Sequence, residues 1–178
     1  MNIQRAKRIS GWMTEEELTF LAQTAKISKV IVEIGCYFGR SAMALADNTS
    51  GIVICIDPYQ GLYDSPNHTI RLDFNDTVYH DFLYNLSEHI NSGKVIHYRS
   101  TVDEISPLLF PEADFVFIDG DHSYEGCKKD ILFAKSIMRH GIIAGHDWGT
   151  EGYQGVDKSV RELLGEPNVV GTVWWIRI

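Results

Sequence analysis

The chain has 178 residues, 44% of them hydrophobic and 22% charged. That is the composition of a soluble globular protein, long enough to bury about two-thirds of its unfolded surface in one domain. Sixteen basic against twenty-four acidic residues leave a net charge of −8, which argues against a general binder of nucleic acid or anionic membrane.

From the N-terminus, "MNIQRAKRIS" has basic residues but no apolar stretch behind them. No later run approaches the roughly 18 apolar residues of a membrane helix, so the expected location is the cytoplasm. Thr14 and Glu17 have capping-box spacing and open a helix with Leu18, Leu21, Ala22 and Ala25 as its buried stripe, within an N-terminal helical extension over 1–28. Strand-like apolar bursts follow: "KVIVEIG" (29–35), "GIVICID" (51–57), "KVIHYRS" (94–100), "ADFVFIDG" (113–120) and "GIIAGHD" (141–147). Between them apolar residues recur at helical spacing, as in Ala42, Leu45 and Ala46, then Phe74, Val78, Phe82, Leu86 and Ile90, then Cys127, Ile131, Ala134 and Met138. Thr101 with Glu104 forms a second capping box. Val156, Val160, Leu163 and Leu164 predict one more helix, and "NVVGTVWWIRI" reads as two short strands around Gly171. Such alternation gives an α/β fold, a parallel sheet with helices on both faces. Cys36, Cys55 and Cys127 are odd in number and far apart, so neither a disulfide framework nor a thiolate metal site is expected.

In open parallel sheets ligands sit beyond the carboxyl ends of the strands. The first strand ends in "EIGCYFGRS", where Gly35 and Gly39 bracket a tight turn into a helix and Ser41 lies in that helix's first turn. The second ends at Asp57, placed to accept hydrogen bonds from ribose hydroxyls. Together they favour a nucleoside ligand, although the spacing is not the dinucleotide fingerprint.

"VEIGCYFGRSAMALAD", "ICIDPY", "DFVFIDGDHSYEGCKKDI" and "GIIAGHDW", in that order, resemble the class I S-adenosylmethionine-dependent methyltransferases. More narrowly they are similar to the metal-dependent O-methyltransferases of the catechol type and of the macrocin and novobiocin sugar type. The resemblance spans about residues 28–165. It implies a Rossmann-like, seven-stranded, mostly parallel sheet with a reversed last strand, and S-adenosylmethionine as cofactor. It further implies Glu33, Gly35, Tyr37 and Ser41 around the methionine part, Gly39 among the cofactor-binding residues of the same turn, Asp57 on the ribose, Ser100 and Thr101 beside the adenine, and Asp119 at the methyl end.

Asp119 and Asp147 end neighbouring strands, and a right-handed crossover would bring both carboxylates to one edge of the cleft. A hard divalent cation, Mg2+ or Mn2+, takes such a pair and keeps open positions for substrate oxygens. In the family such an ion holds two acceptor oxygens for attack on the sulfonium methyl group. Two residues are candidate proton acceptors: Asp121, as in the novobiocin type, and His122, as in the macrolide-sugar type, with His122 favoured because imidazole titrates near neutrality. His146 departs from the family's oxygen ligands; it either supplies a third, nitrogen ligand or packs beneath the loop.

The turn-rich segment 58–72 is the lid candidate, with Tyr59, Tyr63, His68 and Arg71 available to substrate, and Trp12 and Trp148 are placed to flank the acceptor. The expected partner is a small hydroxylated metabolite, sugar or phenol, with a homodimer as the candidate assembly. The rival readings are a hydroxylase-like metal enzyme using His122, His146 and an aspartate, and a cofactor-binding protein without turnover.

Overall fold

The computed structural model describes residues 1–59 and 76–178, together with the backbone of residues 62–65 and 68–71. In chain order, α1 (Glu15–Ile27) precedes β1 (Val30–Ile34), α2 (Arg40–Asn48) and β2 (Ile52–Ile56). A hairpin of β3 (Leu62–Ser65) and β4 (His68–Arg71) leads to α3 (Thr77–Asn85), α4 (Ser87–Asn91) and β5 (Val95–Tyr98). β6 (Phe115–Ile118), α5 (Tyr124–Ile137), β7 (Ile142–Gly145), α6 (Gln154–Leu163), β8 (Asn168–Val170) and β9 (Val173–Arg177) complete the chain.

Seven strands form one sheet in the order β5-β2-β1-β6-β7-β9-β8. The first five in that order are parallel, and β9 is antiparallel to both of its neighbours. This is the seven-stranded sheet with a reversed last strand that the sequence resemblance implies. Strand alternation divides the core. Ile31, Cys55 and Phe117 face Leu18, Leu21 and Leu45, whereas Val32, Ile54 and Val116 face Ile131, Ala134 and Val160 on the other side. Each large side chain buried this way stabilises the fold by about 1.5–3 kcal/mol, so helices settle on both faces.

Two elements differ from the sequence reading. The single helix expected through Val78, Phe82, Leu86 and Ile90 is two helices, broken where Leu86 adopts φ −96° and ψ 6°. Leu86 is fully buried and fills the space beside Gly39, where a Cβ would lie 2.3 Å from Leu86 Cδ2. Packing against that turn has overridden helical periodicity. The Thr101 capping box forms as expected but caps only a short 3-10 turn, Val102–Glu104. Phe74 and most of the lid candidate 58–72 lie outside the described residues, as do the side chains of Tyr63, His68 and Arg71. Tyr59, at the start of that segment, is 4% exposed and packs on Tyr79 and Phe82.

Gly35 decides how closely β1 and β6 approach at their carboxyl ends. It has φ +83°, and a Cβ there would lie 2.1 Å from the Asp119 carbonyl oxygen. Gly35→Ala is expected to cost about 1–3 kcal/mol, because both the left-handed backbone and the contact must relax. A denaturant midpoint equal to that of the unaltered protein would contradict this.

Candidate active site

The carboxyl ends of β1, β6 and β7 meet at a cleft of about 320 Å³. Its floor is the turn after β1, Gly35 to Tyr37, with Ser41 from the start of α2. One wall is the segment Ser10–Met13, and the other carries Asp119, His122, His146, Asp147 and Tyr153.

The Ser10–Met13 wall is held by Arg40. Its guanidinium donates from Nε and Nη2 to the Met13 carbonyl at 3.1 and 2.8 Å, and from Nη1 to the Ile9 carbonyl at 2.6 Å. The charge is spent on backbone carbonyls rather than presented to a ligand. Trp12 remains 66% exposed, with its ring 5.1 Å from that of Tyr37, so the cleft mouth on this side is aromatic. Trp148 does not line the cleft; the Arg161 guanidinium lies over its ring at 4.6 Å.

Glu33 lies behind the floor, on the face of the sheet beneath α2. It is fully buried, and its Oε1 has no hydrogen-bond partner among the described residues. Burial pushes its carboxyl up to about 8, with a hydrogen bond from Ser41 opposing and the charge of Asp119 adding. A buried acceptor without a donor is costly, and an ammonium group of a ligand in the cleft would supply one. Glu33 itself does not line the cleft; its free oxygen lies behind the Gly35–Tyr37 floor.

Asp57 does not line the cleft. Its Oδ2 accepts from the backbone N–H groups of Cys36 and Tyr37 at 2.7 and 2.9 Å, and its Oδ1 from that of Tyr59 at 2.6 Å. The residue thus locks the turn after β1, with one of about four lone-pair sites left for a ligand hydroxyl. Ser100 lies beside it, donating its N–H to the Asp57 carbonyl at 3.2 Å. The hydroxyls of Ser100 and Thr101 both donate to Glu104 Oε2, at 3.0 and 3.1 Å. These three residues sit at the ends of β2 and β5, away from the cleft walls; Gly39 does not line the cleft either, and Leu86 occupies the room that a Cβ there would need.

The opposite wall is an alternation of acid and imidazole. His122 Nε2 is 3.0 Å from Asp147 Oδ2 and 3.5 Å from Asp119 Oδ1. His146 Nδ1 is 3.3 Å from Asp147 Oδ2 and 3.7 Å from Asp119 Oδ1. Asp147 adopts φ +65°, a left-handed turn that aspartate tolerates and that carries its carboxylate between the two rings. The donor atoms of Asp119, His146 and Asp147 lie within 4.8 Å of one another, a set able to hold a metal ion. Burial works against both imidazolium ions, but the carboxylates outweigh it. Asp119 and Asp147 push His122 up to about 9; the same pair with Glu17 pushes His146 up to about 11. Burial likewise opposes an ionised Asp147, yet His122 and His146 hold its carboxyl well below the usual range.

Asp121 points elsewhere. Its Oδ1 accepts the Ser123 N–H at 2.8 Å at the start of α5, and it does not line the cleft. Of the two candidate proton acceptors, only His122 reaches the cleft, stacked 4.4 Å from the Tyr153 ring.

Three participants escaped sequence reading. The sequence reading gave no role to Tyr153 or Arg40. Glu17 was legible only as a cap, yet its Oε2 is 3.5 Å from His146 Nε2 and its Oε1 accepts from Thr172, 155 positions away.

Residues 32–148, well over half of the chain, match the family described as "Methyltransferase domain", and the chain belongs to that family. Its fold is shared with solved methyltransferases of low sequence identity. An O-methyltransferase from Bacillus cereus, in complex with S-adenosylhomocysteine, superposes with a TM-score of 0.68 at 17% identity, over 97% of this chain and 86% of that one. The calicheamicin methyltransferase CalS11 gives 0.68 at 15% identity, over 90% and 76%. TomG from Streptomyces achromogenes, an O-methyltransferase involved in tomaymycin synthesis and in complex with S-adenosylmethionine, gives 0.65 at 17% identity, over 98% and 87%. No helix among the described residues is long and apolar enough to cross a membrane.

Proposed function

We propose that the chain is an S-adenosylmethionine-dependent O-methyltransferase acting on a small hydroxylated acceptor, with a divalent cation held by Asp119, His146 and Asp147. One observation carries this reading. A single cleft joins a floor backed by Glu33, whose Oε1 has no hydrogen-bond partner among the described residues, to a wall of two aspartates and two histidines. The relatives named above that share the fold and bind the cofactor or its product are O-methyltransferases.

The cofactor, when bound, supplies an electrophilic sulfonium methyl group, and the cation supplies a positive charge that favours an ionised acceptor hydroxyl. Glu33 binds the cofactor's ammonium and so fixes the reach of the methyl group towards the acidic wall. The turn from Gly35 to Tyr37, pinned by Asp57, offers backbone without an intervening side chain at Gly35. Trp12 and Tyr153 supply flat apolar surface for a sugar or phenol ring. His122 accepts the acceptor's proton at Nε2 once its own has left. It keeps that proton while Asp119 and Asp147 face it uncompensated, and returns towards its ordinary range when a cation shares their charge. A second reading rests on the same charges: two imidazolium ions already balance the two aspartates, which favours transfer without an added ion.

Calorimetry with S-adenosylmethionine tests the cofactor half. Glu33→Gln is expected to weaken binding about 10–100-fold, the loss of one charge-assisted hydrogen bond. The folded carboxyl is raised, so Glu33 stabilises the ligand-free protein below about pH 4.5, and that contribution is lost as pH rises through about 8. The glutamine variant is therefore expected to melt higher than the unaltered protein at pH 9. Unchanged affinity in the variant, or no binding by the unaltered protein, would contradict the assignment.

A further inference from the structure

The orientation of His146 is set outside the cleft. Its Nε2 lies 3.0 Å from Thr172 Oγ1, and both that hydroxyl and the Thr172 N–H lie 2.8 Å from Glu17 Oε1. A carboxylate only accepts, so the Thr172 hydroxyl donates its proton to Glu17 and turns a lone pair to His146. The imidazole nitrogen that meets this lone pair must be the one bearing hydrogen. Nδ1 is then the nitrogen left facing Asp119 and Asp147. In the protonated ring that nitrogen donates to the two carboxylates; once its proton leaves, the same nitrogen aims a lone pair at them, an arrangement that a metal cation between them satisfies.

Capping α1 does not account for this geometry. The cap uses Glu17 Oε2, which accepts from the Thr14 N–H and hydroxyl at 2.7 and 2.9 Å. Oε1 is spent entirely on Thr172, in a residue only 2% exposed.

We propose that Glu17 and Thr172 are positioning residues that make His146 Nδ1 a metal ligand beside Asp119 and Asp147, so that the site selects a nitrogen-accepting first-row transition ion over magnesium. This rests on the metal-assisted reading above. Magnesium takes near-ideal octahedral sets of oxygens and gives up water reluctantly, whereas imidazole suits later divalent ions. The departure from an all-oxygen ligand set at His146 thus changes which ion is held.

The test uses the full chain and two probes, Co2+ and Mg2+, each titrated calorimetrically, with the visible absorption of bound Co2+ reporting its ligands. The unaltered protein is expected to bind Co2+ more tightly than Mg2+. Thr172→Val removes the hydroxyl and is expected to weaken Co2+ binding about 10–100-fold and alter its spectrum, the usual cost of losing an outer hydrogen bond to a ligating histidine. Thr172→Ser restores both. His146→Asp is expected to bring the two affinities together. A Thr172→Val protein with unchanged Co2+ affinity and spectrum, or an unaltered protein that prefers Mg2+, would overturn the inference alone. So would a lowered melting temperature in Thr172→Val with the ratio of Co2+ to Mg2+ affinity unchanged, the mark of a merely structural role. If neither ion bound the unaltered protein, the metal-assisted reading would fall as well.

Discussion

Asp147→Asn is expected to lower kcat about 10²–10³-fold, the range for removing one preorganised electrostatic group, while leaving affinity for S-adenosylmethionine essentially unchanged. The asymmetry follows from position. Asp147 touches both imidazoles of the acidic wall, whereas the buried carboxylate proposed for the cofactor's ammonium is Glu33, behind the floor. Stability carries a signature too. The folded Asp147 carboxyl is depressed, so it stabilises the protein above the ordinary carboxyl range near pH 4, and that contribution is lost as pH falls through the lower folded value. His122 is raised, so its contribution is complete below about pH 6.5 and is lost as pH rises through about 9. The variant's deficit in denaturant unfolding is therefore expected to be largest between about pH 4 and 6.5 and to shrink on either side. A deficit independent of pH, or a kcat loss accompanied by an equal loss of cofactor affinity, would contradict this assignment.

His122→Ala is expected to lower kcat about 10²–10⁴-fold, the usual worth of a positioned general base, with cofactor binding preserved. Only one nitrogen of this ring needs to change state. In the ion-free protein it holds its proton to about pH 9, so methyl transfer there is expected to rise with pH into the alkaline range. With a cation on the aspartates, that rise is expected to move towards the ordinary imidazole value near 6.5. The alanine variant loses the rising limb under both conditions. A limb that survives in His122→Ala would assign the proton to another group, and Asp121→Asn, which alters a residue turned towards α5, would be the first comparison.

Much of the fold was legible because its signals are local. Short apolar runs ending in Gly35, Asp57, Asp119 or Asp147 mark parallel strands whatever lies around them, and the carboxylates that end β6 and β7 meet because adjacent parallel strands must end together. The break at Leu86 was not legible, since its cause is the empty space beside Gly39, 47 positions away. The direction of Asp121 was hidden for a similar reason: "GDHS" offers two acidic or basic groups to the cleft, and the turn into α5 selects between them by capturing Asp121 with the Ser123 N–H. Asp57 was readable as a ligand-side carboxylate, but its service to three backbone N–H groups depends on the left-handed residues Tyr37 and Tyr59. Glu17 was the furthest from view. A capping box explains it fully within "TEEE", and only the sheet's closing strand brings Thr172 to its second oxygen.

In the proposed reaction one cleft brings a cofactor's methyl group to an acceptor hydroxyl beside Asp119, His122 and Asp147. The most direct measurement is transfer of a labelled methyl group from S-adenosylmethionine to a panel of phenols, catechols and sugars, run with a divalent ion and with a chelator. Label is expected on an acceptor oxygen, faster with the ion and nearly abolished by Asp147→Asn. Label on no acceptor despite bound cofactor, or transfer indifferent to Asp147→Asn, would contradict it.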